Sequence, residues 1–241
     1  MSALERPPST ARLTGAGIAR LITVLVTLVV TAVAFFLAAG TPAVERAWIY
    51  YGALLGYLVV GMTVIAVFFP QAIDTVNARG RVNKDVKSWD KAFGAAYTVL
   101  LLIQPAVAGW DVRVGRAYDL PWPIHVLAIV GTIAAYAFVH WAMVVNRHAE
   151  TGVRIQGERH HVVVCTGPYR IVRHPFYISL ILTHLLYPLA LGSWSSLVPG
   201  VIIAVLFVWR TAREDETLRR ELEGYEAFTK RTRYRLAPGV W

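Results

Sequence analysis

Cysteine is almost missing from this sequence. Cys165 is the only one in 241 residues, so an intramolecular disulfide, and with it a disulfide-stapled fold, is excluded. Charge is scarce as well: 16% of residues are charged, and 15 acids face 24 lysines and arginines. With 56% hydrophobic residues and a mean hydropathy of +0.49, the chain is neither disordered nor an ordinary soluble globule. No internal repeat, low-complexity tract or long linker is present. What remains is the composition of an integral membrane protein.

Helices of about 20 apolar residues cross a bilayer core, and six apolar runs approach that length: 21–39, 50–69, 92–109, 124–145, 176–191 and 197–209. The last two are short and are separated only by Gly192-Ser193-Trp194-Ser195-Ser196, which predicts a tight hairpin. The expected fold is therefore all-α, a polytopic membrane bundle of five to six transmembrane helices. Residues 1–145 form a four-helix transmembrane region, and 146–241 hold a short hairpin and an amphipathic tail. Arg6, Arg12 and Arg20 precede the first run, whose length exceeds that of a signal peptide's apolar stretch, so it reads as an anchor.

With six spans, 21 of the 24 lysines and arginines fall on one side, and only Arg46, Arg113 and Arg116 on the other. Positive residues are retained in the cytoplasm, which puts both termini there. The formal charge of +9 is then a topological signal with some attraction for anionic lipid, and nucleic-acid binding is not needed to explain it.

Polar residues concentrate after Asn146. Between Glu158 and Tyr177 lie His160, His161, His174, Arg159, Arg170, Arg173, Tyr169 and Tyr177. Gly167-Pro168 marks a turn, and Pro175 suits the first position of a helix. Arg173 and His174 then sit at a helix start, where unpaired N–H groups and the helix dipole suit an anion; equally, Arg173 meets a lipid phosphate and His174 caps the helix. The histidines lack the i, i+4 spacing of a zinc helix, so no metal is expected. Cys165 follows Val162-Val163-Val164, and its expected role is that of a buried, inert thiol.

At the end of the sixth run, Arg210, Arg213, Glu214, Asp215 and Glu216 follow Trp209. On a continuing helix Arg210 and Glu214 share one face, and a snorkelling arginine with a solvated ion pair explains them as well. Leu218, Leu222, Tyr225 and Phe228 continue a helical stripe that Gly224 weakens. His140 and His184, inside runs, are candidates for lining a pocket or for bonding a neighbouring helix.

Taken together, His161-Val162-Val163-Val164, Gly167-Pro168-Tyr169, Arg173-His174-Pro175-Phe176-Tyr177, the apolar hairpin, Arg210 with Glu214-Asp215, and Arg235-Leu236-Ala237-Pro238-Gly239 resemble the isoprenylcysteine carboxyl methyltransferase family. The resemblance covers about the last third of the chain. It implies a membrane methyltransferase, related to the phospholipid N-methyltransferases, with a cytoplasmic C-terminal pocket for S-adenosylmethionine, which leaves as S-adenosylhomocysteine. It further implies that His161, Val162, Val163, Val164, Tyr169, His174, Pro175, Phe176, Tyr177 and Glu214 contact that cofactor, with Gln156 a looser match, and that Arg210 orients the substrate. The sequence departs from the family pattern in Glu214-Asp215, where Glu-Glu is usual, and in a tail one residue tighter at Leu222-Glu223-Gly224-Tyr225. The compact, loop-poor chain points to a bacterial plasma membrane, hence to a small lipid or isoprenoid acceptor. The partners expected are the bilayer and this lipophilic molecule, with no obligate protein. The rival readings are an NADPH-dependent membrane sterol or lipid reductase and a non-enzymatic membrane protein.

Overall fold

The computed structural model describes residues 12–81 and 85–241, so Arg6 lies outside the described residues. These fold into eight α-helices and no strand: α1 (Gly15–Ala39), α2 (Glu45–Phe68), α3 (Ile73–Arg79), α4 (Ser88–Arg113), α5 (Trp122–Val145), α6 (Pro175–Leu191), α7 (Leu197–Glu221) and α8 (Tyr225–Arg231). Helices α1, α2, α4 and α5 are each long and apolar enough to cross a membrane, and α6 is a shorter apolar helix. The chain is a helical membrane bundle. Much of its surface is apolar as a bilayer requires: Leu37, Val67, Leu127 and Val205 are each more than 60% exposed.

The ends of the bundle differ. At one, the α1–α2, α4–α5 and α6–α7 connections meet: the Tyr118 N–H donates to Gly192 O (2.8 Å), Arg46 Nη1 to Tyr118 O (3.1 Å) and Ser193 Oγ to Asp111 (2.7 Å). At the other lie α3, the long α5–α6 connection and the tail. This is the alternation that the charge distribution implies.

Close helix approach is set by small residues. A Cβ built on Gly109 of α4 would lie 2.1 Å from Phe35 O of α1, so only glycine lets these backbones touch. Asn77 of α3 ties down the start of α1: its Oδ1 accepts from the Thr14 N–H at 3.0 Å and its Nδ2 donates to Arg12 O at 3.1 Å. Tyr51 and Tyr187 share a 2.8 Å hydroxyl contact that closes the core among α1, α2 and α6.

Helix α7 continues past the apolar run to Glu221, as the shared face of Arg210 and Glu214 requires, and the i, i+4 pair of Glu216 with Arg220 lies in that extension. Two local expectations need correcting. The tail stripe is not one helix: Gly224 at φ +79° breaks it, and Leu222, Tyr225 and Phe228 reach the same core cluster from two directions. Cys165 is exposed rather than buried, since its segment is an irregular stretch of the α5–α6 connection at the surface.

The α1–α4 contact gives a stability test. Gly109→Val should cost about 1–3 kcal/mol through overpacking, read as a lower unfolding midpoint in detergent. Gly56→Ala, with nothing within 4 Å of its new Cβ, should leave that midpoint unchanged or slightly higher.

Candidate active site

One cavity of about 790 Å³ opens inside the bundle, and His161, Val162, Val163, Val164, Tyr169, His174, Pro175, Phe176, Tyr177, Arg210 and Glu214 all line it. Residues up to fifty-three positions apart in sequence thus face one space. They arrive from three sources. The α5–α6 connection brings Val162 to Val164, which have no regular secondary structure and, among the described residues, donate no backbone N–H to another backbone carbonyl. A 3-10 turn, Gly167–Arg170, brings Tyr169, with Gly167 at φ +57°. Pro175 opens α6, as its fixed φ favours, and α7 presents Arg210 and Glu214 one turn apart.

Hydrogen bonds and rings set these side chains. Tyr169 accepts from Asn146 Nδ2 through its hydroxyl (2.8 Å). The Tyr177 hydroxyl donates to Glu214, and its ring stacks on His174 at 5.7 Å. Gln156 lines the cavity, but its amide is engaged on both sides, by His148 O (2.6 Å) and Arg159 (2.8 Å). His140 and His184 also line it, and neighbours satisfy both: Tyr57 for His140 (2.6 Å), Gln104 (2.6 Å) and Tyr97 (3.1 Å) for His184.

Two arginines behave otherwise than their spacing suggests. Arg210 shares a helix face with Glu214 but pairs with Asp90 of α4, through Nε (2.7 Å) and Nη2 (3.1 Å), and donates to Thr151 O (2.8 Å). Its guanidinium lies over the rings of Phe93 and Tyr177, at 4.6 and 5.0 Å. Arg173 is not available to an anion at the start of α6. Nε and Nη2 hold Asp215 at 2.7 and 3.1 Å, and Nη1 donates to Thr232 O and Arg233 O. The His174 N–H is likewise taken, by Arg235 O. Asp215, fully buried, also accepts from Tyr225 (3.0 Å) and Arg235 (2.9 Å). Burial alone would raise its pKa, but the hydrogen bonds from His174, Arg173 and Arg235 outweigh that and hold the carboxyl far below its usual range.

Asp90, Arg20 and Arg79 line the same cavity and escaped the sequence reading. A carboxylate at the mouth of a membrane run, as in Ser88-Trp89-Asp90-Lys91, is the signal that marks Asp90; Arg20 and Arg79 look like ordinary flanking charges.

Residues 126–220 match the model of the isoprenylcysteine carboxyl methyltransferase (ICMT) family. Over that stretch, less than half of the chain, the sequence is similar to the ICMT family. The likeness supports a membrane methyltransferase in general, and the match takes in most of α5, all of α6, nearly all of α7 and the connection carrying the cavity's polar wall. No curated protein matches the chain.

The rings of His148 and His161 lie 4.7 Å apart, tilted by 32°, beside this wall. Burial first, then Arg154 and Arg159, push His161 down to about 4; burial, His161 and Arg147 do the same to His148. Both start from 6.5 in the free side chain, so as pH falls the unfolded chain takes up protons before the folded one and stability drops. The unfolding midpoint should decline from pH 6.5 to pH 5, and His161→Asn should flatten that decline; an equal slope in the variant would count against this assignment.

Proposed function

We propose that the chain transfers a methyl group from S-adenosylmethionine to a carboxylate on a lipophilic, isoprenoid or lipid-like acceptor, from a pocket on the cytoplasmic side of the membrane. The observation that carries this reading is the composition of this cavity. Its walls combine Glu214, Tyr177, Tyr169 and the backbone of Val162 to Val164 with Leu21, Val24, Leu28, Leu54 and Leu58 of α1 and α2. A volume of about 790 Å³ accommodates a cofactor and part of a lipid together.

The residues fit the cofactor's chemistry. Glu214 offers a carboxylate to an ammonium, Tyr169 and Phe176 offer ring faces to a purine, and the backbone of Val162 to Val164 leaves polar groups for its edge. Tyr177 fixes Glu214 through its hydroxyl, which keeps that carboxylate aimed. When bound, S-adenosylmethionine supplies an electrophilic methyl group on a sulfonium.

Arg210 orients the acceptor. Asp90 and Thr151 occupy its Nε and Nη2, which leaves Nη1 toward other acceptors, and Asp90 balances the positive charge. A carboxylate held by such an arginine is aligned without being stripped of its nucleophilicity, and a carboxylate needs no general base to attack a methyl group. Positioning at about 3–3.5 Å then provides much of the rate. Phe93 and Tyr177 clamp the guanidinium between rings and restrict its motion.

Calorimetry of the detergent-purified chain tests this directly. S-adenosylhomocysteine should bind and NADPH should not. Glu214→Ala should weaken S-adenosylhomocysteine by about tenfold or more, the value of one charge-assisted contact, with an unchanged unfolding midpoint. No heat with S-adenosylhomocysteine in the unmodified chain would refute the assignment.

A further inference from the structure

Charges facing the cavity are of two kinds. Arg210 is balanced by Asp90, Arg173 by Asp215, and Arg154 by Glu150 and Glu158. Arg20 of α1 and Arg79 of α3 have no carboxylate partner among the described residues. Arg79 Nη1 reaches only the carbonyls of Ala149 and Glu150, each at 3.4 Å, and its guanidinium lies 5.1 Å from the Phe176 ring centroid. Besides burial, the side chains that act on Arg79 include the positive Arg20 and Arg210 and the hydroxyls of Tyr177 and Tyr169. Arg20 is close because Gly80, next to Arg79, packs against the backbone of Ala16 and the Cβ of Arg20.

Like charges held together in a partly buried space repel, and the repulsion grows as water is removed. A ligand that brings a negative group relieves it. The guanidinium forks suit a carboxylate or a phosphate. From Arg20 the cavity wall continues along α1 through Leu21, Val24 and Leu28, so a molecule whose charged head meets the two arginines lays an apolar tail on α1.

We propose that Arg20 and Arg79 form an anion subsite that takes a negatively charged headgroup of the acceptor lipid. Calling the ligand an acceptor rests on the methyltransferase reading; the subsite itself does not. Both arginines lie outside the stretch 126–220 that matches the family. The N-terminal helices therefore contribute selection among lipids to a site whose cofactor wall comes from the matched segment. The same chemistry has a second source, the amino-acid carboxylate of the cofactor; the apolar wall that continues from Arg20 along α1 through Leu21, Val24 and Leu28 favours the lipid.

Native mass spectrometry of the full chain in neutral detergent, with oleate and with oleyl alcohol as probes, tests the subsite. Oleate should bind the unmodified chain, and Arg79→Met and Arg20→Met should each weaken it about tenfold. Oleyl alcohol should respond to neither substitution. Arg79→Lys, which keeps the charge, should recover most of the binding, and Arg220→Met, which removes an exposed arginine, should behave as the unmodified chain. Equal oleate binding by the unmodified chain and Arg79→Met would overturn the proposal. In parallel, calorimetry of the variants with S-adenosylhomocysteine and 5′-methylthioadenosine separates the two sources. Unchanged affinity for both supports the lipid; loss of S-adenosylhomocysteine alone, with 5′-methylthioadenosine retained, would overturn the assignment in favour of the cofactor's carboxylate. Failure of the unmodified chain to bind either nucleoside would sink the methyltransferase reading, whereas the oleate comparison would still decide the subsite.

Discussion

A buried carboxylate at position 215 holds together the end of the bundle that carries α8 and the tail. Asp215 has no exposed surface, and its two oxygens gather Arg173, Tyr225 and Arg235 from the turn before α6, from α8 and from the tail. A charge taken out of water is tolerable only if it is paired and hydrogen-bonded throughout, so each of those segments is pinned by the need to satisfy the others. The backbone follows: the N–H groups of Arg173 and His174 donate to Tyr234 O and Arg235 O, and the tail lies along the start of α6. Three segments are thereby fixed around the end of α7, where Tyr225, Phe228 and Leu236 add apolar packing.

Asp90 repeats the device one layer deeper. It joins α4 to α7 through Arg210, and to the α5–α6 connection through the Val153 N–H at 2.8 Å. The two acids divide the labour of the Glu214-Asp215 pair. Asp215 is turned inward to the tail, while its neighbour Glu214 is left facing the cavity with Tyr177 as its partner. Successive residues on a helix point about 100° apart, so one acid anchors and the other stays available. The shorter side chain in the second position suits a site already crowded by arginines.

The cavity depends on this rigidity and on the looseness of packing behind it. Helices α1 and α4 touch at glycine, but between α1, α2, α5 and α6 the tyrosines at 50, 51, 57, 136 and 187 line an open space. Their hydroxyls need partners in a low-dielectric interior, and pairs such as Tyr51 with Tyr187 and Tyr57 with His140 supply them. A polar seam therefore runs down the cavity without any charge being placed in the bilayer.

Much of this was legible in the sequence. The apolar runs and the one-sided lysines and arginines determined an all-helical membrane bundle and its alternating ends, because a bilayer requires internally bonded helices of a certain length. Pro175 determined the start of α6, and the joint motif from His161 to Glu214 marked the residues that line the cavity. Charge pairing was not legible: Arg210 reads as a partner of Glu214 and Arg173 as an anion holder until α4 and the tail are in place. Asp90 lies 120 positions from Arg210, and no local pattern links them. Helical periodicity reports which residues share a face, whereas the choice of counter-ion is made by whichever buried carboxylate the packing brings within 3 Å, and that only the tertiary structure decided.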